Sequence, residues 1–383
     1  MQVRVYFAAI LALIVASAEG AFAQQSLQTG VQMSDRDKAG LRGPVKTVVY
    51  ERTFSGTDGQ PLHTTTTTEY TRDGRILETR TGNADGSEWL TNYTYDRDGR
   101  LLRTVSGSGG STPSSETTYV YDDSQRLVGV RSGDKDKFRY QYDAQGRKSL
   151  IESYDSKPLP PSTAYAPHWE GSDLGFAPFP GGTLTTSYNE QDVAIGAQLH
   201  DGQGRLVAHI VRKFDSKNRI ITEKQVADEP ELMIPEAERA KLSPEQAKAM
   251  GAFVAGGLLN WSISYSYDAE DRLTEKRRNV GALGQEVTAT TYNDHGDKAS
   301  ESTTRVMNPD VGRVFSVTEA GTILPTGQPQ SAEPPETYET QYTYHYDGYG
   351  NWTEQTTVAR SAPGSGSSPL APANIVRRKL TYY

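Results

Sequence analysis

A chain of 383 residues with no cysteine, a formal net charge of −8 and only 35% hydrophobic residues excludes several classes at the outset. It has no disulfides and no lipid-attachment cysteine, and its acidic balance argues against nucleic acid, which wants basic patches. Twenty-two tyrosines against nine phenylalanines, with abundant threonine, fit half-wet sheet surfaces better than a thick apolar core.

Residues 1–23 read as a signal peptide. Arg4 gives a positive start, residues 5–18 an apolar run, and Ala21-Phe-Ala23 a small-x-small cleavage site. The run is short for a membrane span, which needs about 20 residues, and an uncleaved anchor is the alternative. No later segment is apolar enough to span a bilayer as a helix. The chain is therefore expected in the periplasm or outside the cell, with no stable membrane span after cleavage. Residues 24–40 are polar and expected to be flexible, and residues 41–383 are expected to form a single β-repeat domain. Leu41-Arg-Gly-Pro-Val-Lys-Thr-Val-Val-Tyr50 opens it as a strand, with Pro44 at the start where a missing amide donor is tolerated.

One sentence is then written again and again. Its copies are Tyr70-Thr-Arg-Asp-Gly-Arg75, Tyr95-Asp-Arg-Asp-Gly-Arg100, Tyr121-Asp-Asp-Ser-Gln-Arg126 and Tyr142-Asp-Ala-Gln-Gly-Arg147. His200-Asp-Gly-Gln-Gly-Arg205, Phe214-Asp-Ser-Lys-Asn-Arg219, Tyr267-Asp-Ala-Glu-Asp-Arg272, Tyr292-Asn-Asp-His-Gly-Asp297 and Tyr346-Asp-Gly-Tyr-Gly-Asn351 follow. The second residue is Asp or Asn in all but the first, a side chain that accepts from the backbone two residues on and closes a turn. The fifth is mostly Gly, Asn or Asp, the set that tolerates positive φ; only Gln125 fits poorly. The structural turn residues are thus Asp96 and Gly99, Asp143 and Gly146, Asp201 and Gly204, Asp347 and Gly350. A type I turn followed by a left-handed residue is a common hairpin connection. Tyrosines spaced by two, such as Tyr93/Tyr95 and Tyr265/Tyr267, share one face of a strand.

The unit aromatic-x-Tyr-Asp-x-x-Gly-Arg-aliphatic, fullest in Tyr93 to Leu102 and Tyr140 to Arg147, resembles the YD-repeat or Rhs family. The resemblance runs from Tyr70 to Trp352. It implies antiparallel hairpins strung into one long sheet, secretion or cell-surface location, and in some members carbohydrate binding. This chain is short and has no Rhs core segment or toxin tail, so the large members' toxin shell does not carry over.

Four insertions interrupt the repeats, at residues 154–186, 228–259, 307–337 and 361–374. The first carries six prolines, which exclude a central strand or long helix, together with Tyr165, His168, Trp169 and Phe176. These four form a candidate sugar-stacking platform; the competing reading is a cap over an exposed sheet face. The second holds the one helical stretch, near residues 235–258: Ser243-Pro-Glu-Gln246 places an N-cap, Pro at the first position and Gln at the third. If every repeat is one hairpin, all tight turns lie on one rim and all insertions on the other. Roughly 18 to 22 strands exceed what an open twisted sheet usually holds, so the fold class is all-β, a long curled antiparallel sheet, with full closure allowed but not demanded.

No catalytic constellation appears. Asp96-Arg-Asp-Gly begins like a calcium loop, but Arg100 and Gly107 stand where ligands belong. The six histidines show no metal spacing, and no cofactor or metal is expected. The repeated arginines make either a basic ladder for an acidic glycan or partners for the turn aspartates and neighbouring tyrosines. The expected function is a scaffold that binds a glycan or an envelope protein through the insertion-bearing rim. The alternatives are a polysaccharide-active enzyme using loop carboxylates and a purely structural envelope protein. Open edge strands invite pairing, which makes residues 375–383 a candidate dimer edge.

Overall fold

The structure is a computed structural model, and it describes residues 3–5, 34–55, 61–82, 85–109, 113–154, 182–234, 239–256, 260–280, 284–307, 314–318, 320, 322–326, 335–361 and 374–383. The strands are β1 (Val3–Val5), β2 (Val45–Ser55), β3 (Pro61–Tyr70), β4 (Ile76–Gly82), β5 (Glu88–Tyr95), β6 (Leu101–Ser108), β7 (Ser115–Tyr121), β8 (Leu127–Ser132), β9 (Lys135–Tyr142) and β10 (Lys148–Ser153). They continue as β11 (Thr183–Tyr188), β12 (Ala194–His200), β13 (Leu206–Phe214), β14 (Ile220–Ala227), β15 (Trp261–Tyr267), β16 (Leu273–Val280), β17 (Gly284–Tyr292) and β18 (Lys298–Met307). The last are β19 (Val314–Val317), β20 (Ile323–Thr326), β21 (Glu336–Tyr346), β22 (Trp352–Ser361) and β23 (Asn374–Tyr382). Among the described residues two α-helices, α1 (Asp35–Lys38) and α2 (Pro244–Val254), and a 3-10 turn at Pro230–Met233 accompany them.

The fold is all-β with little helix. Twenty strands, β2 to β18 with β21 to β23, follow one another in an order that closes on itself as an antiparallel barrel. This replaces the expected curled open sheet. The physical reason is the edge: a sheet this long has two rows of unpaired backbone groups unless its ends meet, and closure removes both. β23 is accordingly bonded on both sides, to β22 and to β2, so the expected dimer edge at residues 375–383 is already occupied. β1, β19 and β20 form a separate three-stranded sheet.

The chain divides into two compact units. One comprises residues 1–16, 138–289 and 302–337, the other residues 17–137, 290–301 and 338–383. In the first, Leu184, Leu199 and Val207 are fully buried on the strands. Here α2 begins as its sequence dictates: Ser243 accepts from the Gln246 amide and the Gln246 side chain returns to the Ser243 amide, a reciprocal capping box. Gln246 also donates through Nε2 to Thr318 O (3.2 Å), beside β19. In the second unit the core is Leu41, Val45, Val48 and Tyr70, packed against Tyr50, Ile76, Leu380 and Tyr382. Residues 34–40, expected to be flexible, are instead a docked helical turn in this unit, with Ser34 as N-cap.

Each hairpin turns the same way. The register slips by one residue just before the aromatic, between Glu69 and Tyr70, Thr94 and Tyr95, Val120 and Tyr121, and Ser266 and Tyr267. That is a bulge following a type I turn. It corrects the reading of the paired aliphatics after the turn as cover for both faces. Tyr95 pairs with Leu101 and Thr94 with Arg103, so Leu102 is the extra residue, and Leu77, Leu102 and Ile221 stay exposed.

The expectation of one turn rim and one insertion rim also needs correction. The turns at Asp201 and Asp215 are separated by the single nine-residue strand β13. One strand between two turns puts them at opposite ends, whereas two strands bring successive turns back to one end. Within this unit the 201–205 turn therefore lies at the end from which the insertions leave. A further hairpin turn, unread in the sequence, sits at 189–193, where the Asn189 amide donates to Val193 O (3.0 Å).

Candidate functional site: the turn rim and the aromatic face

The turns share one hydrogen-bond scheme. In the 96–100 turn the Asp96 amide donates to Arg100 O (3.0 Å) and the Gly99 amide to Asp96 O (3.2 Å). The Arg100 amide donates to Asp96 Oδ1 (2.8 Å) and the Arg100 guanidinium clasps Oδ2. The scheme recurs at Asp122 with Arg126, Asp143 with Arg147, Asp201 with Arg205, Asp215 with Arg219 and Asp268 with Arg272. Gly99, Gly146, Gly204 and Gly350 take positive φ, and Gln125 adopts φ 66° in the same place. The aspartates respond electrostatically. The Arg100 amide and guanidinium hold Asp96 below the usual carboxylate range. Burial pushes Asp268 upward, but the hydrogen bonds from Arg272 outweigh it and leave that carboxyl low.

Four of the repeat arginines then reach the next hairpin. Arg75 lies over the Tyr95 ring, Arg100 over Tyr121 (5.2 Å), Arg147 over Tyr188 (4.9 Å) and Arg219 over Tyr267 (4.7 Å). The tyrosine hydroxyl donates back to the carbonyl just past that arginine: Tyr121 to Leu101 O (2.9 Å), Tyr188 to Lys148 O (2.6 Å), Tyr267 to Ile220 O (2.9 Å). The guanidinium is thus shared between its own turn and the neighbouring ring. This accounts for the repeated arginines as turn and tyrosine partners.

In the 71–75 turn Thr71 replaces the aspartate and accepts from the Arg75 amide. Two other turns in the second unit lack the arginine, at 293–297 and 347–351, where Asp297 and Asn351 stand in its place. Around them the half-buried sheet face is rich in rings. The Arg378 guanidinium stacks on Trp352 (3.3 Å to the centroid) and lies over Tyr50 (4.8 Å). Trp352 meets Tyr50 edge-on at 6.1 Å and Tyr344 at 6.3 Å. Tyr342 donates to Glu301 (2.6 Å) and Tyr346 to Asp297 (2.8 Å). Burial, then the acceptor carboxylate, raises both phenols, Tyr346 to about 12. Burial also lowers the Arg378 guanidinium. In the first unit Arg212 and Glu223 form a buried ion pair (2.6 Å), and His209 contacts Asp228 (2.7 Å).

The predicted ligand residues Tyr165, His168, Trp169 and Phe176 lie outside the described residues. Among the described residues no group of three or more His, Asp or Glu side chains is placed to hold a metal. The ring-rich face was not legible in the sequence because Tyr50, on β2, joins Tyr344, Trp352 and Arg378, on β21 to β23, only where the two ends of the chain pair. The alternation Tyr342/Tyr344/Tyr346 was its only local signal.

No family model and no curated protein matches this chain. Among solved structures it is similar to a porin-like protein from Bacteroides uniformis, at TM-score 0.32 and 12% identity over 89% of this chain and 99% of that one. It is similar to the Tc holotoxin pore of Photorhabdus luminescens, at TM-score 0.24 and 14% identity over 79% of this chain and 16% of that one. A porin-like protein from Bacteroides vulgatus aligns at TM-score 0.20 and 12% identity over 88% and 98%. Likenesses this slight decide neither fold nor function, and the all-β assignment stands on the chain's own strand pairing.

Proposed function

We propose that this chain is an exported, short YD-repeat scaffold that works in water, in the periplasm or outside the cell, and binds a glycan or another envelope protein. One observation carries the aqueous reading: along β21 and β23 the exposed residues are polar or charged, the wrong sense for a strand facing lipid. Along β21 Tyr342, Tyr344 and Tyr346 are half-buried while Gln341, Thr343 and His345 are exposed. Along β23 Arg378, Leu380 and Tyr382 are half-buried while Arg377, Lys379 and Thr381 are exposed. The exposed face carries the ion pairs Arg377 with Glu354 (2.8 Å) and Arg103 with Glu116 (2.7 Å). A strand face in hydrocarbon must be apolar, and an Arg or Lys at the bilayer midplane costs roughly 2–4 kcal/mol. No helix among the described residues is long and apolar enough to cross a membrane, which says nothing of a barrel.

The enzyme alternative draws less support. Polysaccharide hydrolysis needs two free carboxyl groups roughly 5–9.5 Å apart, and six of the turn aspartates are held by their own turn's arginine, while Asp297 and Asp347 are held by Tyr346 and Tyr382. A binding role needs no such pair and suits an extended, rigid repeat surface. The test is purification of the chain from Gln24 onward without detergent, followed by a glycan array and capture with envelope extracts. A monodisperse soluble protein that retains an envelope glycan or protein is expected. A chain that stays soluble only in detergent overturns the aqueous reading; retention of neither ligand overturns the binding role.

A further inference from the structure

We propose that residues 34–44 are a latch that fixes where the run of hairpins ends, and that Asn351 is its receptor. Asn351 occupies the position that six other turns give to an arginine paired with the turn aspartate. Its side chain is buried, at 2% exposure. There it does what a neighbouring strand would do: Oδ1 accepts from the Arg42 amide (2.7 Å) and Nδ2 donates to Arg42 O (2.8 Å) and to Tyr382 Oη (3.0 Å). An arginine at 351 could not supply the accepting half of that exchange, because a guanidinium donates but has no acceptor for the Arg42 amide.

The rest of the segment grips turns on both sides of the seam at which β2 meets β23. On one side the Arg42 guanidinium donates to Gly350 O (3.2 Å) and His295 O (3.0 Å). On the other, the Arg36 amide donates to Gly74 O (2.9 Å). Asp35 Oδ2 accepts from the Ile76 amide (3.1 Å) and from Tyr95 Oη (3.2 Å). Ser34 packs so closely on Gly74 that a Cβ there would stand 2.5 Å from its hydroxyl. Between these grips Leu41 is buried with Val45, Val48 and Tyr70. The latch thus ties the turns at 71–75, 293–297 and 347–351 together. Without it, β2 and β23 hold each other only by their ladder and the side-chain contacts along it, such as Arg378 over Tyr50 and Lys379 with Glu51, and any parting exposes two strand edges able to pair with a second copy.

The test uses the full chain carrying Asn351→Arg and, separately, the chain lacking residues 34–43. Hydrogen exchange is followed at residues 45–55 and 374–382 against the distant strands at 183–227, with mass in solution from light scattering. In both variants exchange at the seam is expected to rise about tenfold or more while 183–227 keeps its protection, and soluble oligomers appear. A synthetic peptide spanning residues 34–46 is expected to restore seam protection to the deletion chain. Unchanged seam exchange overturns the latch. So does loss of protection throughout 183–227, which makes the segment a general stabiliser, and so does a peptide without effect on the deletion chain.

Discussion

Tyr382 donates its hydroxyl to the same Asp347 carboxylate oxygen that an arginine grips in the other turns. The turn lost its arginine to Asn351, and a phenol from the closing strand β23 took the vacated acceptor. In the neighbouring exception a tyrosine also enters, by a different bond: Tyr346 donates to Asp297, at the arginine's position, and receives from Asn293 (2.8 Å each). The turn scheme survives at the seam by exchanging a local partner for a distant one.

The shared guanidiniums predict non-additive mutants. Arg219→Ala removes both the Asp215 clasp and the cover over Tyr267, and should lower the melting temperature. Arg219→Lys should recover little, since an ammonium cannot reproduce a planar fork stacked on a ring. In a double-mutant cycle with Tyr267→Phe, thermal unfolding should show a coupling larger than the scatter of the single variants; strict additivity would mean that the ring and the guanidinium act independently.

Acid should open the turns. The folded carboxyls of Asp96, Asp122 and Asp268 lie below the usual range, so their contribution is present above about pH 4, the value of a free aspartate, and is lost as pH falls through the folded values. Stability measured by denaturant from pH 6 to pH 2 should fall below about pH 4. Asp268→Asn should keep the turn, as Asn293 does, while removing part of that acid dependence.

Alkali should act on the tyrosines in the opposite sense. Burial raises Tyr70 and Tyr382 to about 12, so their contribution is intact below the free value near pH 10 and disappears as pH climbs through about 12. Absorbance at the phenolate band should show a fraction of the 22 tyrosines resisting ionisation until the protein unfolds. A single titration at the free value for all of them would contradict the buried Tyr-carboxylate pairs.

Gly251 tests the helical insertion. A Cβ there would collide with the Glu231 backbone in the 3-10 turn. That contact has no flexible side chain to give way, so Gly251→Ala should cost about 1–3 kcal/mol. Hydrogen exchange should place the loss at residues 230–254 and leave the turn at 96–100 untouched.

The sequence by itself determined the parts whose partners are close in the chain. The Asp-to-Arg clasp spans four residues, the bulge follows the turn, and Ser243 and Gln246 cap α2 across three. Such contacts are dictated by covalent neighbourhood and would form in almost any fold that accepts a hairpin or helix there. The placement of the 201–205 turn was also within reach of counting, since only one strand separates Asp201 from Asp215. Closure, the ring-rich face around Trp352 and the docking of residues 34–44 were decided by tertiary structure. Asn351 meets Arg42 across most of the chain, and nothing local to Asn351 distinguishes a failed arginine from a receptor. Only when β2 pairs with β23 do those residues come within hydrogen-bonding distance, because strand pairing, unlike a turn, is chosen by the whole sheet.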